Sequence, residues 1–399
     1  MTVPSVKDAK VAGKRVLVRV DFNVPMTDDG KVASDTRIIE TLPTIALLLK
    51  RKATVVLVSH LGRPDGKVDP KYTMAPVARR LEHYLARKVH LIPDFWQKKA
   101  ADYVRKLPKN SLVLCENVRY HIGEEHNDPA FAKSLADLAE LYVNDAFGTA
   151  HRAHASTVGV TAYLPSYAGL LMEKEVYMIG KAITKPRRPL LVIIGGGKTP
   201  EKIRVIDRLL EIADTIYLGG AIANTFFATW GISVGVSKVD HEMIEMARQV
   251  LWKATRVHCS LMLPNDVVVT NGSRETKPFV LPYNEVPLAL GIFDIGPQSI
   301  KELEGHIRGS KTIIWNGPMG MYEDERFTTG TKATLAAIAK SGAESVIGGG
   351  DTISMIKDKT LVKKISHIST GGGAMLEYLE KGTLPGIEAL KNGHKKNSH

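Results

Sequence analysis

Leu190-Leu191-Val192-Ile193-Ile194, followed by Gly195-Gly196-Gly197-Lys198-Thr199-Pro200, is an unbroken apolar run that stops at three glycines. The run reads as a buried strand, and Pro200 suits the first turn of a helix reaching about Glu211. The same grammar recurs along the chain, but the strand endings change character halfway. In the first half Arg15 to Val20 ends in Asp21 and Asn23, Thr54 to Ser59 in His60 and Arg63, and Leu112 to Cys115 in Arg119. In the second half Ile216 to Leu218 ends in Gly219-Gly220, Ser345 to Ile347 in Gly348-Gly349-Gly350-Asp351, and Ile365 to Ser369 in Gly371-Gly372-Gly373. Apolar strand runs alternating with helical patterns are the signature of βαβ units and a parallel sheet, hence an α/β fold. In open parallel sheets ligands sit outside the carboxyl ends of the strands. The endings therefore predict an arginine-rich anion site and a glycine-rich phosphate site.

Composition sets the frame. The 399 residues, 44% hydrophobic, 24% charged and 6% aromatic, suffice for two domains with two cores. Cys115 and Cys259 are the only cysteines, too few for a disulfide framework or a cysteine metal site. They read as buried core residues in a reducing compartment. There is neither an uncharged apolar stretch of about 18 residues nor a basic segment followed by an apolar run at the N-terminus. The expected location is the cytoplasm. A net charge of +12 suits nucleic acid, a membrane surface or small phosphorylated metabolites alike.

Asp35 is placed to cap a helix from Thr36 to about Lys52, with Ile38, Ile39, Leu42, Ile45, Ala46 and Leu49 on one face. Further helices are predicted near Ala75 to Ala86, Trp96 to Lys106, Ala130 to Ala139 and Pro297 to His306. A helix-like run from Leu170 to Ile183, followed by the polar break Thr184-Lys185-Pro186-Arg187-Arg188-Pro189, is read as the domain connection. The last segment, from Gly382 to His399, is polar and shows no periodic core pattern.

In the first half Arg19, Asp21, Asn23, Arg37, His60, Arg63, Arg119 and Arg152 fall at or near strand ends or helix starts. Several converging guanidinium forks would hold a small molecule with multiple negative charges. His60 sits in the bent loop Ser59-His60-Leu61-Gly62-Arg63-Pro64 and reads as a hydrogen-bonding group rather than a general base. His151 and His154 stand three apart without an acidic or cysteine partner at metal-ligand spacing, which argues against a metal there.

In the second half Gly197-Lys198-Thr199 looks like the end of a P-loop, but the first glycine of that pattern is replaced by Val192. The glycine turn still offers amides and a helix dipole to a phosphate, with Lys198 and Lys202 as point charges. Asn316-Gly317-Pro318-Met319-Gly320 and Glu323 follow the strand Lys311 to Trp315. Asp351 reads either as one carboxylate on a magnesium ion or as a helix N-cap. Two rival classes are disfavoured. The absent G-x-G-x-x-G fingerprint argues against a nicotinamide dehydrogenase, and the absence of a basic tract with interleaved aromatics argues against a nucleic-acid binder.

Taken together, Arg19-Val20-Asp21-Phe22-Asn23-Val24-Pro25, Ser59-His60-Leu61-Gly62-Arg63-Pro64, Glu116-Asn117-Val118-Arg119, Asn144-Asp145-Ala146-Phe147-Gly148, His151-Arg152-Ala153-His154-Ala155-Ser156, Trp315-Asn316-Gly317-Pro318, Gly348-Gly349-Gly350-Asp351-Thr352 and Ser369-Thr370-Gly371-Gly372-Gly373-Ala374 closely resemble the phosphoglycerate kinase family, in order and over essentially the entire chain. The resemblance implies two Rossmann-like domains with parallel sheets flanked by helices. It implies a triose-phosphate domain over 1–169, a hinge helix and linker over 170–185, a nucleotide domain over 186–375, and a segment over 376–399 returning to the first domain. It implies reversible, magnesium-dependent phosphoryl transfer between 1,3-bisphosphoglycerate and ADP, giving 3-phosphoglycerate and ATP in glycolysis and gluconeogenesis, by a cytoplasmic monomer with no nucleic-acid or membrane partner. By motif position Asp21, Asn23, Arg37, His60, Arg63, Arg119 and Arg152 are expected to bind triose phosphate. Gly195, Gly196, Lys198, Lys202, Gly219, Gly220, Asn316, Pro318, Glu323, Gly350, Asp351 and Thr352 are expected to bind nucleotide, with Glu323 on the ribose and Asp351 near the metal.

Two departures stand out. Gly197-Lys198-Thr199 replaces the family's common Ala-Lys-Val, and Ile292-Phe293 replaces Gly-Leu near the expected base pocket, which bears on ATP versus GTP. Phosphoryl transfer asks for alignment and charge neutralisation. An acceptor carboxylate with a pKa of about 4 is already ionised at neutral pH, so no general base is required. Arg37, Lys198 and the amides of Gly371, Gly372 and Gly373 are expected to stabilise the migrating phosphoryl. Closure of the two domains is expected to exclude water from the acyl phosphate.

Overall fold

The structure, a computed structural model, describes residues 3–197, 199–355 and 358–396. It divides into two compact units. The first holds the chain up to Tyr177 and takes it back from Thr383 onward; the second holds Met178 to Gly382.

The first unit is built on six parallel strands, β1 (Arg15–Arg19), β2 (Thr54–Val58), β3 (Val89–Ile92), β4 (Leu112–Cys115), β5 (Leu141–Asn144) and β6 (Ser166–Ala168), in the order β3-β4-β2-β1-β5-β6. Every residue of β2, β4 and β5 is buried, which is why these runs are continuously apolar rather than alternating. Helices α1 (Thr36–Lys50), α2 (Ala75–Leu85), α3 (Lys98–Lys106) and α4 (Pro129–Ala136) supply the crossovers. In register, Arg19 lies opposite both Val58 and Asn144, so the endings of β1, β2 and β5 open side by side. Helix α5 (Leu170–Thr184) carries the chain onward. It is seated by Asp145 just past β5, whose carboxylate accepts the Leu171 and Met172 amides at 2.9 and 3.2 Å.

The second unit repeats the plan. Strands β7 (Leu190–Ile194), β8 (Thr215–Leu218) and β9 (Ser260–Met262) are followed by a separate antiparallel sheet of β10 (Asp266–Thr270), β11 (Phe279–Pro282) and β12 (Gly291–Ile295). The parallel sheet is completed by β13 (Thr312–Asn316), β14 (Glu344–Gly348) and β15 (His367–Ile368), in the order β15-β14-β13-β7-β8-β9. The helices are α6 (Thr199–Leu209), α7 (Gly220–Thr229), α8 (Ile244–Ala254), α9 (Pro297–Gly309), α10 (Thr329–Ser341), α11 (Gly350–Ser354), α12 (Lys359–Val362) and α13 (Gly373–Lys381), and α14 (Pro385–Lys396) returns to the first unit. Asn316 lies opposite both Ile194 and Gly348, which aligns the glycine endings as Arg19 aligns the polar ones.

Three sequence readings are corrected. Asp35 makes no side-chain cap to α1; its carboxylate is held by the fork of Arg80 and by the Tyr84 hydroxyl at 2.7 Å, a charge-assisted pairing that outcompetes a lone amide. The segment after Gly382, read as lacking a core pattern, forms helix α14, which buries Ile387 and Leu390, with Leu384 buried just before it. The antiparallel sheet had no counterpart among the expected βαβ repeats.

Candidate active site

Four strand endings of the first unit build one cluster. Arg19 closes β1 and is only 1% exposed; its Nε donates to Ser156 Oγ at 2.8 Å and its Nη2 lies 3.2 Å from His60 Nδ1. Asp21, two residues on, accepts from Arg37 of α1 at 2.5 Å. Asn23 accepts the Gly62 amide at 2.9 Å, and Arg119 Nη1 donates to the Gly62 carbonyl at 2.8 Å. The loop after β2 is thereby held from two sides, and Asn117 pins Leu61 through both its amide and its carbonyl. Gly62 itself has φ +60°, and an added Cβ would lie 2.2 Å from the Tyr72 ring, so no other residue fits there.

The electrostatics show the convergence. Burial, and then the charges of Arg19, Arg119, Arg152 and Arg37, hold His60 well below the usual histidine range. Burial, with Arg119, Arg19 and Arg152, likewise brings His154 down to about 4. Both rings are therefore neutral near pH 7, and the positive charge of the cluster is carried by guanidiniums. Of the predicted anion ligands, the structure brings Asp21, Asn23, Arg37, His60, Arg119 and Arg152 together. Arg63 is exposed on the same loop.

In the second unit the endings of β7, β8 and β13 interlock through backbone. The Gly195 amide donates to the Asn316 carbonyl at 2.9 Å, that of Gly196 to Pro318 at 2.7 Å, and that of Gly220 to Met319 at 2.9 Å. A Cβ on Gly195 would sit 2.2 Å from the Pro318 carbonyl, and one on Gly317, at φ +93°, 2.2 Å from the Gly195 carbonyl. Glycine is required here because two backbones pass without room for a side chain. Lys202, 5% exposed, donates from Nζ to the Gly195 carbonyl. Thr352 accepts the Gly317 amide at 2.9 Å, and the buried Nδ2 of Asn316 has no partner among the described residues.

Beside this lattice lies a cavity of about 550 Å³, lined by Gly196, Gly197, Gly220, Asn224, Lys238, Phe293, Pro318, Glu323 and Asp351 among others. Phe227, Val236, Val267 and Ile292 make part of its wall apolar, as a site for a flat heterocycle requires. Of the predicted nucleotide ligands, Gly196, Gly220, Pro318, Glu323 and Asp351 line the cavity directly. Gly195, Lys202, Asn316 and Thr352 belong to the backbone lattice described above, and Gly219 packs against Met319. Gly350 opens the short helix α11, which Gly349 precedes at φ +98°. Asp351 therefore lies in the first turn rather than at the cap, exposed, and accepts from the Tyr322 hydroxyl at 3.0 Å. Gly371 to Gly373 form the turn into α13 and do not line this cavity. Lys198 lies outside the described residues.

Sequence reasoning missed two kinds of residue. Lys238 reaches the cavity from the loop between α7 and α8, its Nζ 3.9 Å from where a Cβ of Gly197 would lie. Glu124 lies wholly buried behind the arginine cluster, accepting from Ser156 Oγ at 2.6 Å and from the Ser156 amide at 2.9 Å. Neither stands at a strand end, the signal on which the reading relied.

An arginine-walled cluster on one parallel sheet and a glycine-walled, nucleotide-sized cavity on a second fit the class of phosphotransferases of small anionic metabolites. Known proteins supply the family. A sequence model described as Phosphoglycerate kinase matches residues 6–382. The chain is 47% identical to the phosphoglycerate kinase of Pelotomaculum thermopropionicum over 391 residues, covering 98% of this chain and 99% of that one, and 47% identical to that of Acaryochloris marina over 394 residues. The solved phosphoglycerate kinase of Coxiella burnetii superposes with a TM-score of 0.88 at 40% identity, covering 99% of this chain and 100% of that one. That of Pyrococcus horikoshii OT3 superposes at 0.86 and 31% identity. The chain belongs to the phosphoglycerate kinase family.

Proposed function

We infer that this chain catalyses reversible phosphoryl transfer between the acyl phosphate of 1,3-bisphosphoglycerate and ADP, yielding 3-phosphoglycerate and ATP. The observation that carries the reading, within the family, is the pairing of a guanidinium cluster around a neutral histidine with a glycine-walled cavity. Asp21, Asn23, Arg37, His60, Arg63, Arg119 and Arg152 are assigned to the triose phosphate. Gly195, Gly196, Lys198, Lys202, Gly219, Gly220, Asn316, Pro318, Glu323, Gly350, Asp351 and Thr352 are assigned to the nucleotide.

The transfer needs charge neutralisation and alignment, and Arg37, Lys198 and the amides of Gly371 to Gly373 are assigned to the migrating phosphoryl. No proton has to be removed from an ionised carboxylate, which suits a cluster whose histidines are neutral and whose cations are donors only. Magnesium enters as part of the nucleotide substrate and would neutralise phosphate charge. Among the described residues no group of three or more His, Cys, Asp or Glu could cage a metal by itself. The single carboxylate of Asp351 fits a cation that keeps its waters and phosphates. Closure of the two units around the acyl phosphate would exclude water. We further assign the protein to the cytoplasm, as a monomer acting on small molecules only.

A coupled assay for ATP formed from 1,3-bisphosphoglycerate and ADP tests the reading. Magnesium-dependent ATP formation is expected, and a folded protein that forms none overturns it.

A further inference from the structure

We propose that Glu124, Ser156 and Arg19 form a buried positioning relay that fixes His60 as the tautomer with its proton on Nε2, so that His60 serves the anion site as a hydrogen-bond donor. The proposal rests on the reading of the first unit as the triose-phosphate site.

The direction of the relay is set at Arg19, which can only donate. The Glu124 carboxylate, 0% exposed, accepts both the amide and the hydroxyl proton of Ser156, at 2.9 and 2.6 Å. With its one proton committed, Ser156 Oγ is left with lone pairs only, and it accepts from Arg19 Nε at 2.8 Å. Arginine has five donors and no acceptor and stays protonated at any accessible pH. Its Nη2, 3.2 Å from His60 Nδ1, can only donate, so Nδ1 must be the bare nitrogen. Asp21 does not compete for a proton at Nδ1, since its Oδ1 is 3.9 Å away, beyond hydrogen-bond range. The remaining proton of the neutral ring sits on Nε2. His60 is 95% buried, and the hydrogen-bond contact of its ring among the described residues is the one from Arg19 to Nδ1. A ring nitrogen left bearing a proton, inside a ring of guanidiniums, is suited to an oxygen of the ligand.

The charged groups around His60 come from every neighbouring element: Arg19 at the end of β1 and Asp21 just past it, Arg37 on α1, Arg119 after β4 and Arg152 after β5. All four arginines oppose a second proton on the ring. Burial pushes the Glu124 carboxyl above the usual carboxylate range and the charge of Arg19 draws it back down, while Arg19 itself stays at 1% exposure.

The test is 15N NMR of the ligand-free, full-length protein with labelled histidine, His60 being assigned by its loss in His60→Gln. The expected spectrum has a bare Nδ1 and a protonated Nε2, with no titration near the ordinary pKa of about 6.5. A proton on Nδ1, or titration near neutrality, overturns the relay whatever the enzyme's activity. This separates it from the assay of the parent reading, whose failure would leave the tautomer result intact. Ser156→Ala removes the acceptor for Arg19. The KM for 3-phosphoglycerate of this variant, relative to wild type, is expected to change by about threefold or more between about pH 6 and pH 8, with kcat little affected. Ser156→Thr should restore the flat ratio. A ratio constant across that range would show a merely structural role and overturn the proposal, and the wild-type spectrum decides even if Ser156→Ala does not fold.

Discussion

Arg152 and Lys238 are the side chains whose removal should separate the two sites kinetically. Arg152→Ala is expected to raise the KM for 3-phosphoglycerate roughly 10-fold or more, the scale of one charge-assisted contact, while the KM for MgADP stays near wild type. Lys238→Ala should do the reverse, raising the KM for MgADP by about 3- to 10-fold, and less at high salt because the ammonium is exposed. Steady-state kinetics on both substrates checks both, and an unchanged KM removes the residue concerned from its site. His154 gives a pH prediction. Its pKa falls from 6.5 to about 4 on folding, so the unfolded chain takes up the proton first as pH drops. The stability it contributes is complete above pH 6.5 and is lost between there and about 4. Denaturant titrations over this range should show a shallower loss for His154→Gln than for wild type. At this scale the convergence of Asp21, His60, Arg119 and their neighbours was legible because β-strand geometry delivers them to one edge. Lys238 was not, because it arrives on a loop, and Glu124 was not, because Glu124-Glu125 has the appearance of a solvated charge pair.

At the scale of elements, the glycine endings are where one strand's backbone admits another's. Gly317→Ala would put a Cβ 2.2 Å from the Gly195 carbonyl at φ +93°. Strain of about 1–3 kcal/mol, plus displacement of β7 from β13, should lower the unfolding midpoint and weaken nucleotide binding together. Gly342, at φ +68° with nothing within 4 Å of an added Cβ, is the control. Gly342→Ala should show the conformational penalty without the loss of binding, and equal binding by the two variants would refute the interlock. The parallel strands were legible because burial on both faces makes their sequence continuously apolar. The antiparallel sheet was not, since β11 is short, three of its four residues are exposed, and it ends in Pro282. Helix α14 escaped notice because few buried apolar residues, Ile387, Ala389 and Leu390 within it and Leu384 just before it, carry it among lysines and polar side chains.

For the whole molecule, that terminal helix completes a unit begun hundreds of residues earlier. The Gly386 amide donates to the Ala150 carbonyl at 2.8 Å, Gly393 packs against Thr161 and Ser166, and the His394 ring meets Tyr167 edge-on at 5.2 Å. Deleting the chain after Gly382 removes three buried apolar anchors, each worth about 1.5–3 kcal/mol. The truncated protein should lose 3-phosphoglycerate binding and unfold its first unit at lower denaturant, yet still bind MgADP. Retention of both ligands would show that α14 is dispensable.

The same return of the chain sets a timetable for synthesis. Tyr177 leaves the ribosome with its unit still open, and the second unit, unbroken from Met178 to Gly382, is finished before the first. At about 5–20 residues per second, the roughly 200 intervening residues hold the nascent chain in that half-built state for about 10–40 seconds. During that interval the bare flank of β6 is the surface a chaperone would meet.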